Sequence, residues 1–382
     1  MKRAHFCALL LAVLAVQSGM KSFVLAAVIA FLALPVHADR FKEWDRNKDG
    51  KLQKEELPTN ARRHFERVDA NRDGVISLEE HKAFLNRRSG GGGRQQVHPD
   101  YRTVRNQDYV GEGNQRQMLD LFLPREKSDK PRPLVVYIHG GGWKAGSKEG
   151  GFGRVRPFLE ETGFAGAAIN YRLTNEASWP AQIHDCKAAI RWLKAHAGEY
   201  GYDADRIAVW GTSAGGHLVG MLGVSGDVPE LEGKLGKHLD QESGVTCVVN
   251  YFGPSNLLTM DDFPSSITHS AADSPEGKLV GGALQEMKKV TVNASPVTHV
   301  SAGDAPMLLA HGTKDKLVPY QQSVEFSERL SKEEVEFVFI TMDGAGHGFR
   351  SVELTRRVRA FLSIQLMGKE GKLSSGTIAA GK

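Results

Sequence analysis

Cysteine is scarce in this sequence, with three among 382 residues. That count excludes a disulfide-built scaffold. Cys7 lies at the extreme N-terminus, while Cys186 and Cys247 sit in apolar stretches, so two buried free thiols are expected rather than a bridge. Charge of one sign is lacking too. Forty-nine Lys and Arg against 45 Asp and Glu leave +4 with no basic block, which gives no indication of a nucleic-acid partner. The Gly-rich stretches are not followed by G-K-[ST], so a phosphate-cradling loop is excluded. No propeller-like repeats and no long helical cap precede the first strong strand pattern. At 41% hydrophobic and 25% charged, the chain is long enough for two or three folded domains.

The N-terminus reads as a targeting segment. From Met20 the chain runs "MKSFVLAAVIAFLALPVHA", a Lys, an apolar core and a small-residue ending. Residues 1–38 are therefore expected to be a signal peptide cleaved near Ala38, with Met20 as the true start and residues 1–19 a second signal-like stretch. Cleavage removes Lys2, Arg3 and Lys21 and no acid, taking +4 to +1. A secreted or periplasmic protein with no stable membrane anchor follows as the expectation. Beyond it lie residues 39–88 with an internal repeat, a Gly-rich linker at 89–98 ("SGGGG" at its start), a large domain at 99–368, and a polar, Gly-rich tail at 369–382 expected to be disordered.

The repeat is "DRNKDGKLQKEE" at 45–56 and "DANRDGVISLEE" at 69–80. A hard cation takes six to eight oxygens. Asp45, Asn47, Asp49, Gln53 and Glu56 offer side-chain oxygens and Lys51 its carbonyl. Asp69, Asn71, Asp73, Ser77 and Glu80, with the Val75 carbonyl, repeat the scheme. Leu52 and Ile76 are placed to pair the loops through a short β contact. Both stretches resemble EF-hands, and Ca²⁺ is the cofactor that the resemblance implies.

In the large domain, "LVVYI", "AGAAIN", "RIAVW", "VTCVVNY", "PMLLAHG" and "VEFVFIT" read as buried strands. "AQIHDCKAAIRWLKAHA" and "QQSVEFSERLSK" read as amphipathic helices. The alternation predicts an α/β fold with a mainly parallel sheet covered on both faces. "RIAVWGTSAGGHL" puts Ser213 in G-x-S-x-G between a strand and a helix, a turn that stands a serine Oγ above a sheet. An acid and then a histidine must follow. Asp315 lies just beyond one strand and His347 beyond the next, at the sheet edge where α/β proteins hold their sites. Asp343 is a rival acid, but it shares a loop with His347 and is poorly placed to brace that imidazole from behind. "HGGGW", from His139 to Trp143, follows a strand; its glycines allow bare peptide N–H groups to face a developing oxyanion, with the N–H of Ala214 beside them.

"HGGGW", "INYRL", "DCKAAIRWL", "GTSAGGHL", "NYFGPSNL", "SPVTHV" and "LLAHGTKDKLVP" together resemble the α/β-hydrolase esterases of the hormone-sensitive-lipase-like group, most of all the bacterial feruloyl-esterase-like branch. The likeness covers about residues 100–367. It implies Ser213 as nucleophile, His347 as base, Asp315 as its orienting acid, and Gly141, Gly142 and Ala214 as oxyanion donors. No cofactor is implied for catalysis. Thr212 departs from the Asp that many relatives carry there. Any lid is expected from residues 226–243 and 255–295. Arg172 and Asp185 are expected to form a structural ion pair, and Trp143 and Trp179 to line a pocket or pack in the core. The expected reading is a serine ester hydrolase acting on acetyl or feruloyl esters of polysaccharide or on small esters. A prolyl-oligopeptidase-type peptidase and a non-catalytic Ca²⁺-dependent binding protein are the alternatives.

Overall fold

The computed structural model describes residues 41–84, apart from 42, 63, 64, 72, 82 and 83, and residues 98–379. The expected signal peptide and all of the linker but His98 lie outside the described residues. The chain divides into two compact units, one up to Gln96 and one from Val97 onward. Among the described residues no helix is long and apolar enough to cross a membrane.

In the first unit, β1 (Lys51–Leu52) pairs antiparallel with β2 (Ile76–Ser77), with Leu52 opposite Ile76 as the loop pattern predicts. Helical turns α1 (Thr59–Arg62) and α2 (Phe65–Val68) lie between them. Phe41, Leu52, Leu57, Phe65, Val68 and Ile76 form a small core. The two loops share one hydrogen-bond pattern. Asp45 accepts from the N–H of Asp49 and Gly50, and Asp69 from those of Asp73 and Gly74. Glu56 closes its loop on the N–H groups of Arg46, Asn47 and Gln53; Glu80 closes the other on Ala70, Asn71 and Ser77. These N–H donors, Gln53 and Ser77 foremost, hold both glutamates below the usual carboxylate range.

The second unit is built on a nine-stranded sheet in the order β11-β10-β9-β8-β7-β5-β6-β4-β3. Its strands are β3 (Tyr101–Asp108), β4 (Met118–Pro124), β5 (Arg132–Ile138), β6 (Ala165–Ile169), β7 (Tyr202–Thr212), β8 (Cys247–Tyr251), β9 (Met307–Gly312), β10 (Phe337–Asp343) and β11 (Gly376–Ala379). All neighbours are parallel except β3 with β4 and β4 with β6. Strand β5 shows why its sequence is apolar throughout. Leu134, Val136 and Ile138 join one core and Val135 and Tyr137 the other, so both faces are covered. One core takes Ile183 and Ile190 from α4 (Ala181–Ala195) and Leu218 and Leu222 from α5 (Ala214–Val224). The other takes Val155, Phe158 and Leu159 from α3 (Gly151–Leu159), and Leu354, Val358 and Phe361 from α6 (Val352–Met367). Cys186 and Cys247 are buried and unbridged, one in each core, and burial pushes both thiols up.

Two expectations need correction. Residues 369–382 are not wholly irregular: Gly376–Ala379 forms β11, parallel to β10 from Ile340 to Asp343. An open edge of β10 would leave a row of unpaired N–H and C=O groups, and the tail satisfies it, with Ser375 Oγ accepting from the Phe339 N–H. Residues 226–243 form no lid over the sheet edge. Glu232 is held against α4 by Lys187 Nζ at 3.0 Å and by Arg191.

Arg172 and Asp185 do pair, and the contact is structural. Asp185 is fully buried and receives Arg172 Nε at 2.9 Å, Arg172 Nη2 at 2.8 Å, the Arg172 N–H at 2.8 Å and Gln117 Nε2 at 2.8 Å. Removing the carboxylate leaves the guanidinium with only the Ala181 carbonyl, at 3.3 Å, and takes an acceptor from the Gln117 amide. Asp185→Ala is therefore expected to lower unfolding stability by about 3–5 kcal/mol, measured by urea denaturation. A loss below about 1 kcal/mol would refute a structural role for the pair.

Candidate active site

The site forms where β5, β7, β9 and β10 end. Between β7 and α5 the chain reverses at Ser213, which holds φ 56° and ψ −122°. A residue with a Cβ adopts such a conformation at a cost of about 1–3 kcal/mol, met only when surrounding structure imposes it. Here the Ser213 N–H donates to the Tyr251 carbonyl at 2.9 Å and the Ser213 carbonyl accepts from His217 N–H. The turn also needs Gly215: a Cβ there would stand 2.1 Å from the Ile138 carbonyl oxygen, so α5 lies against the end of β5 only with glycine at this position.

The structure brings together the three residues that the motif order singles out. His347 Nε2 lies 3.0 Å from Ser213 Oγ, and His347 Nδ1 lies 2.7 Å from Asp315 Oδ2. The other Asp315 oxygen accepts from the N–H groups of Leu317 at 2.8 Å and Val318 at 3.0 Å. Burial works to raise the Asp315 pKa. The hydrogen bonds of His311 and His347, the charge of His347 and the Leu317 N–H outweigh it, and the carboxyl is held far below its usual range. Asp343 takes no part; it is exposed and accepts from Thr313 Oγ1.

The Gly140–Trp143 loop borders the same space. Gly141 has φ 110°, and a Cβ on it would meet the Ala145 carbonyl oxygen at 2.3 Å, so only glycine lets this loop close so tightly. Among the described residues, the N–H groups of Gly141, Gly142 and Ala214 donate to no backbone carbonyl in turns or loops, and all three residues line the cleft. Trp143, at φ 53°, anchors the loop end: its Nε1–H donates to His217 Nδ1 at 3.2 Å. His217 Nε2 donates in turn to the Ala294 carbonyl, and burial lowers the His217 pKa to about 4, so the ring is a neutral acceptor toward Trp143. Trp143 thus packs in the core while lining the cleft. Trp179 is core alone, with its indole N–H on Asn293.

Sequence reasoning missed two histidines. His311, wholly buried, lies with Nε2 3.0 Å from the Val318 carbonyl and 3.3 Å from Asp315 Oδ2, and with Nδ1 2.7 Å from Ser323 Oγ. The signal was present in "LLAHG", a histidine at a strand end four residues before the acid. His269, from the 255–295 segment, lines the cleft, with its Nδ1 3.0 Å from Oε2 of buried Glu276. Ile267, Pro275 and Glu276 accompany it, so this segment does supply one wall.

The cleft has a volume of about 1670 Å³. Phe252, whose ring lies 4.7 Å from that of His347, together with Tyr251, Phe349 and Trp210, gives it aromatic walls. At the N-terminal loops the chemistry differs. Each loop offers only oxygen donors: carboxylates and a main-chain carbonyl in both, with two amides in the first and an amide and a hydroxyl in the second. Among the described residues no three His, Cys, Asp or Glu side chains alone gather to hold a metal, so amide and carbonyl oxygens must complete any set. Such a mixed all-oxygen set suits a hard divalent cation.

Comparison with known proteins finds a family match in each unit. A family model described as BD-FAE matches residues 119–330, and one described as EF hand matches residues 38–58 and 63–85. Esterase LipC of Mycobacterium tuberculosis is 31% identical over 236 residues, 61% of this chain and 57% of its own; this chain thus spans little more than half that relative's length. A truncated carbohydrate esterase from gut microbiota superposes with a TM-score of 0.64 at 30% identity, covering 70% of this chain and 97% of that one. A bifunctional GH43-CE protein of Bacteroides eggerthii gives the same score and identity over 69% of this chain and 38% of its own. With the hydrolase sheet, the G-x-S-x-G turn and the paired acidic loops in place, the chain belongs to the BD-FAE family of α/β-hydrolase esterase domains and carries EF-hands ahead of that domain.

Proposed function

We propose that this protein is an exported serine carboxylic-ester hydrolase acting on acyl esters of polysaccharide or on small esters, with Ca²⁺ held in its EF-hands. The observation that carries this reading is the continuous chain Asp315–His347–Ser213 beside N–H groups that no carbonyl occupies. In the first step His347 Nε2 takes the Ser213 proton as Oγ attacks the ester carbonyl. The N–H groups of Gly141, Gly142 and Ala214 receive the oxyanion. His347 then protonates the leaving alcohol, and water repeats the sequence on the acyl-enzyme. Asp315 stays ionised throughout and fixes the imidazole with Nδ1 protonated. The carbohydrate esterase likeness supports a sugar ester, and the apolar N-terminal segment supports export. Bound Ca²⁺ would supply the positive charge that the clustered loop carboxylates need; Asp45, Asn47, Asp49, Lys51, Gln53 and Glu56, and their counterparts Asp69, Asn71, Asp73, Val75, Ser77 and Glu80, would hold it.

Ser213→Ala is expected to lower kcat on a nitrophenyl ester by about three orders of magnitude or more with the fold intact, as read by circular dichroism. Retention of a tenth of the wild-type rate would refute Ser213 as nucleophile.

The pH profile follows from the same groups. A carboxyl held far below its usual range keeps its charge across the working pH, and its stabilising contribution is lost only in strong acid. His347 Nε2 must carry no proton if it is to take the one on Ser213 Oγ. kcat/KM should fall with a one-proton slope as the medium acidifies. A flat profile, or a two-proton slope, would refute it.

Removing calcium should act on the first unit. Asp45, Asp49 and Glu56 fall within one short loop and Asp69, Asp73 and Glu80 within the other, over a core of six buried residues among those described. Chelator is expected to increase proteolysis within residues 41–84 while ester hydrolysis stays within about threefold, because the acyl-transfer steps use no metal. The double variant Glu56→Gln/Glu80→Gln should reproduce the effect without chelator. A tenfold loss of kcat/KM in both would show instead that the loops control the active site.

A further inference from the structure

Three basic side chains along the cleft have no acidic partner. Lys144 lies on the loop after Trp143, Arg154 on α3, and Arg350 three residues after His347; all three line the cleft and are exposed. Among the described residues none makes an ion pair or side-chain hydrogen bond. The other charged side chains of the lining each face a neighbouring group. Arg156 pairs with Glu160 at 3.5 Å, Glu149 with Lys148 at 3.3 Å and Arg105 at 3.6 Å, and Glu276 with His269 at 3.0 Å. The whole chain carries only +4 over 382 residues, so three unpaired cations on one cleft are a local concentration and not a share of a basic surface.

Size points the same way. A cleft of about 1670 Å³ exceeds the roughly 300–1,000 Å³ that encloses a drug-sized ligand, so an acetyl or aryl ester alone would leave much of it to water. The three cations come from a loop, a helix and a strand-end loop, an arrangement suited to several separate anions along a chain rather than to one phosphate gripped from all sides. Their exposure sets how they act. Lys and Arg at a solvated rim attract an anion over a Debye length of about 10 Å at 0.1 M salt and lose that reach at high salt.

We propose that the cleft selects esters borne on an anionic glycan, with Lys144, Arg154 and Arg350 engaging uronate carboxylates on sugars flanking the ester that Ser213 attacks. The proposal rests on the ester-hydrolase reading above and narrows its substrate to acidic polysaccharide.

The test compares an acetylated oligogalacturonide with its carboxyl-reduced, neutral counterpart of equal length, using the full chain, with nitrophenyl acetate as a third substrate. At low salt kcat/KM should favour the uronate by about tenfold or more, and the preference should collapse toward parity near 1 M salt, where the Debye length is about 3 Å. Arg154→Gln and Arg350→Gln should each reduce the uronate-to-neutral ratio by about threefold or more, and Arg154→Lys should restore most of it. Unacetylated oligogalacturonide should inhibit competitively, and less so as salt rises. Equal kcat/KM on the two glycans at low salt, or a preference indifferent to salt, would overturn the proposal while leaving the esterase intact. So would hydrolysis of nitrophenyl acetate with neither glycan attacked. Failure on all three substrates would overturn the ester-hydrolase reading itself, and this proposal with it.

Discussion

Everything at the carboxyl edge of the sheet depends on one strained backbone turn. Ser213 at φ 56° cannot relax into α5 or back into β7, because its N–H is held by Tyr251 and its carbonyl by His217. The glycine after it allows α5 to lie against the end of β5, and β5 in turn launches the loop that carries Gly141 and Gly142. One close backbone approach therefore sets both the direction of Ser213 Oγ and the position of the N–H groups opposite it. The cores on either side of the sheet make the strain affordable: Val136 and Ile138 on one face and Tyr137 on the other keep β5 from shifting.

The second constraint is a buried charge. Asp315 lies in the protein with both oxygens engaged, one by two backbone N–H groups and the other by His347, with His311 at 3.3 Å. A buried carboxylate without such partners would take up a proton instead of staying ionised. With them it stays charged, and it can hold the imidazole in the tautomer that leaves Nε2 free to accept from Ser213. The burial that works against the charge also keeps water from competing for it.

Much of this was legible in the sequence because the chemistry is local. G-x-S-x-G names its own turn, and Asp315 and His347 each follow an apolar strand by a few residues, so topology brings them to one edge. Leu52 and Ile76 were readable because the loop spacing is rigid. What escaped notice is what depends on distant partners. Strand β3, with its largely exposed "YRTVRNQD", is polar at an antiparallel edge and carries no strong strand signal. Strand β11 is four residues of a polar tail and exists because β10 offers it an edge. Residues 226–243 are polar enough to suggest a mobile cover, yet Glu232 meets two cations that α4 buries, a contact that the spacing of neither segment reveals. His311 and His269 looked like two among 14 histidines until the fold set them beside acids.

The charges of this protein obey two different rules on the two sides of its surface. Inside, the carboxylates that order the fold and the site are matched: Asp185 by Arg172 and Gln117, Asp120 by Lys148 at 2.6 Å, Asp315 by its histidines and N–H groups. An unmatched charge there would cost several kcal/mol. In water that cost vanishes, so an unpaired surface cation is tolerated for nothing in particular, and stability gives no reason to gather such cations in one place. Gathering them does carry a small cost, since like charges repel within a Debye length. Around this cleft the acids that would relieve that repulsion are present, but Glu149 and Glu276 are turned to other partners. Unpaired cations are thus left on a cleft whose walls also carry Phe252, Tyr251, Phe349 and Trp210. Such a division leaves the aromatic walls to contact the apolar part of a substrate and the exposed cations to act on its charge.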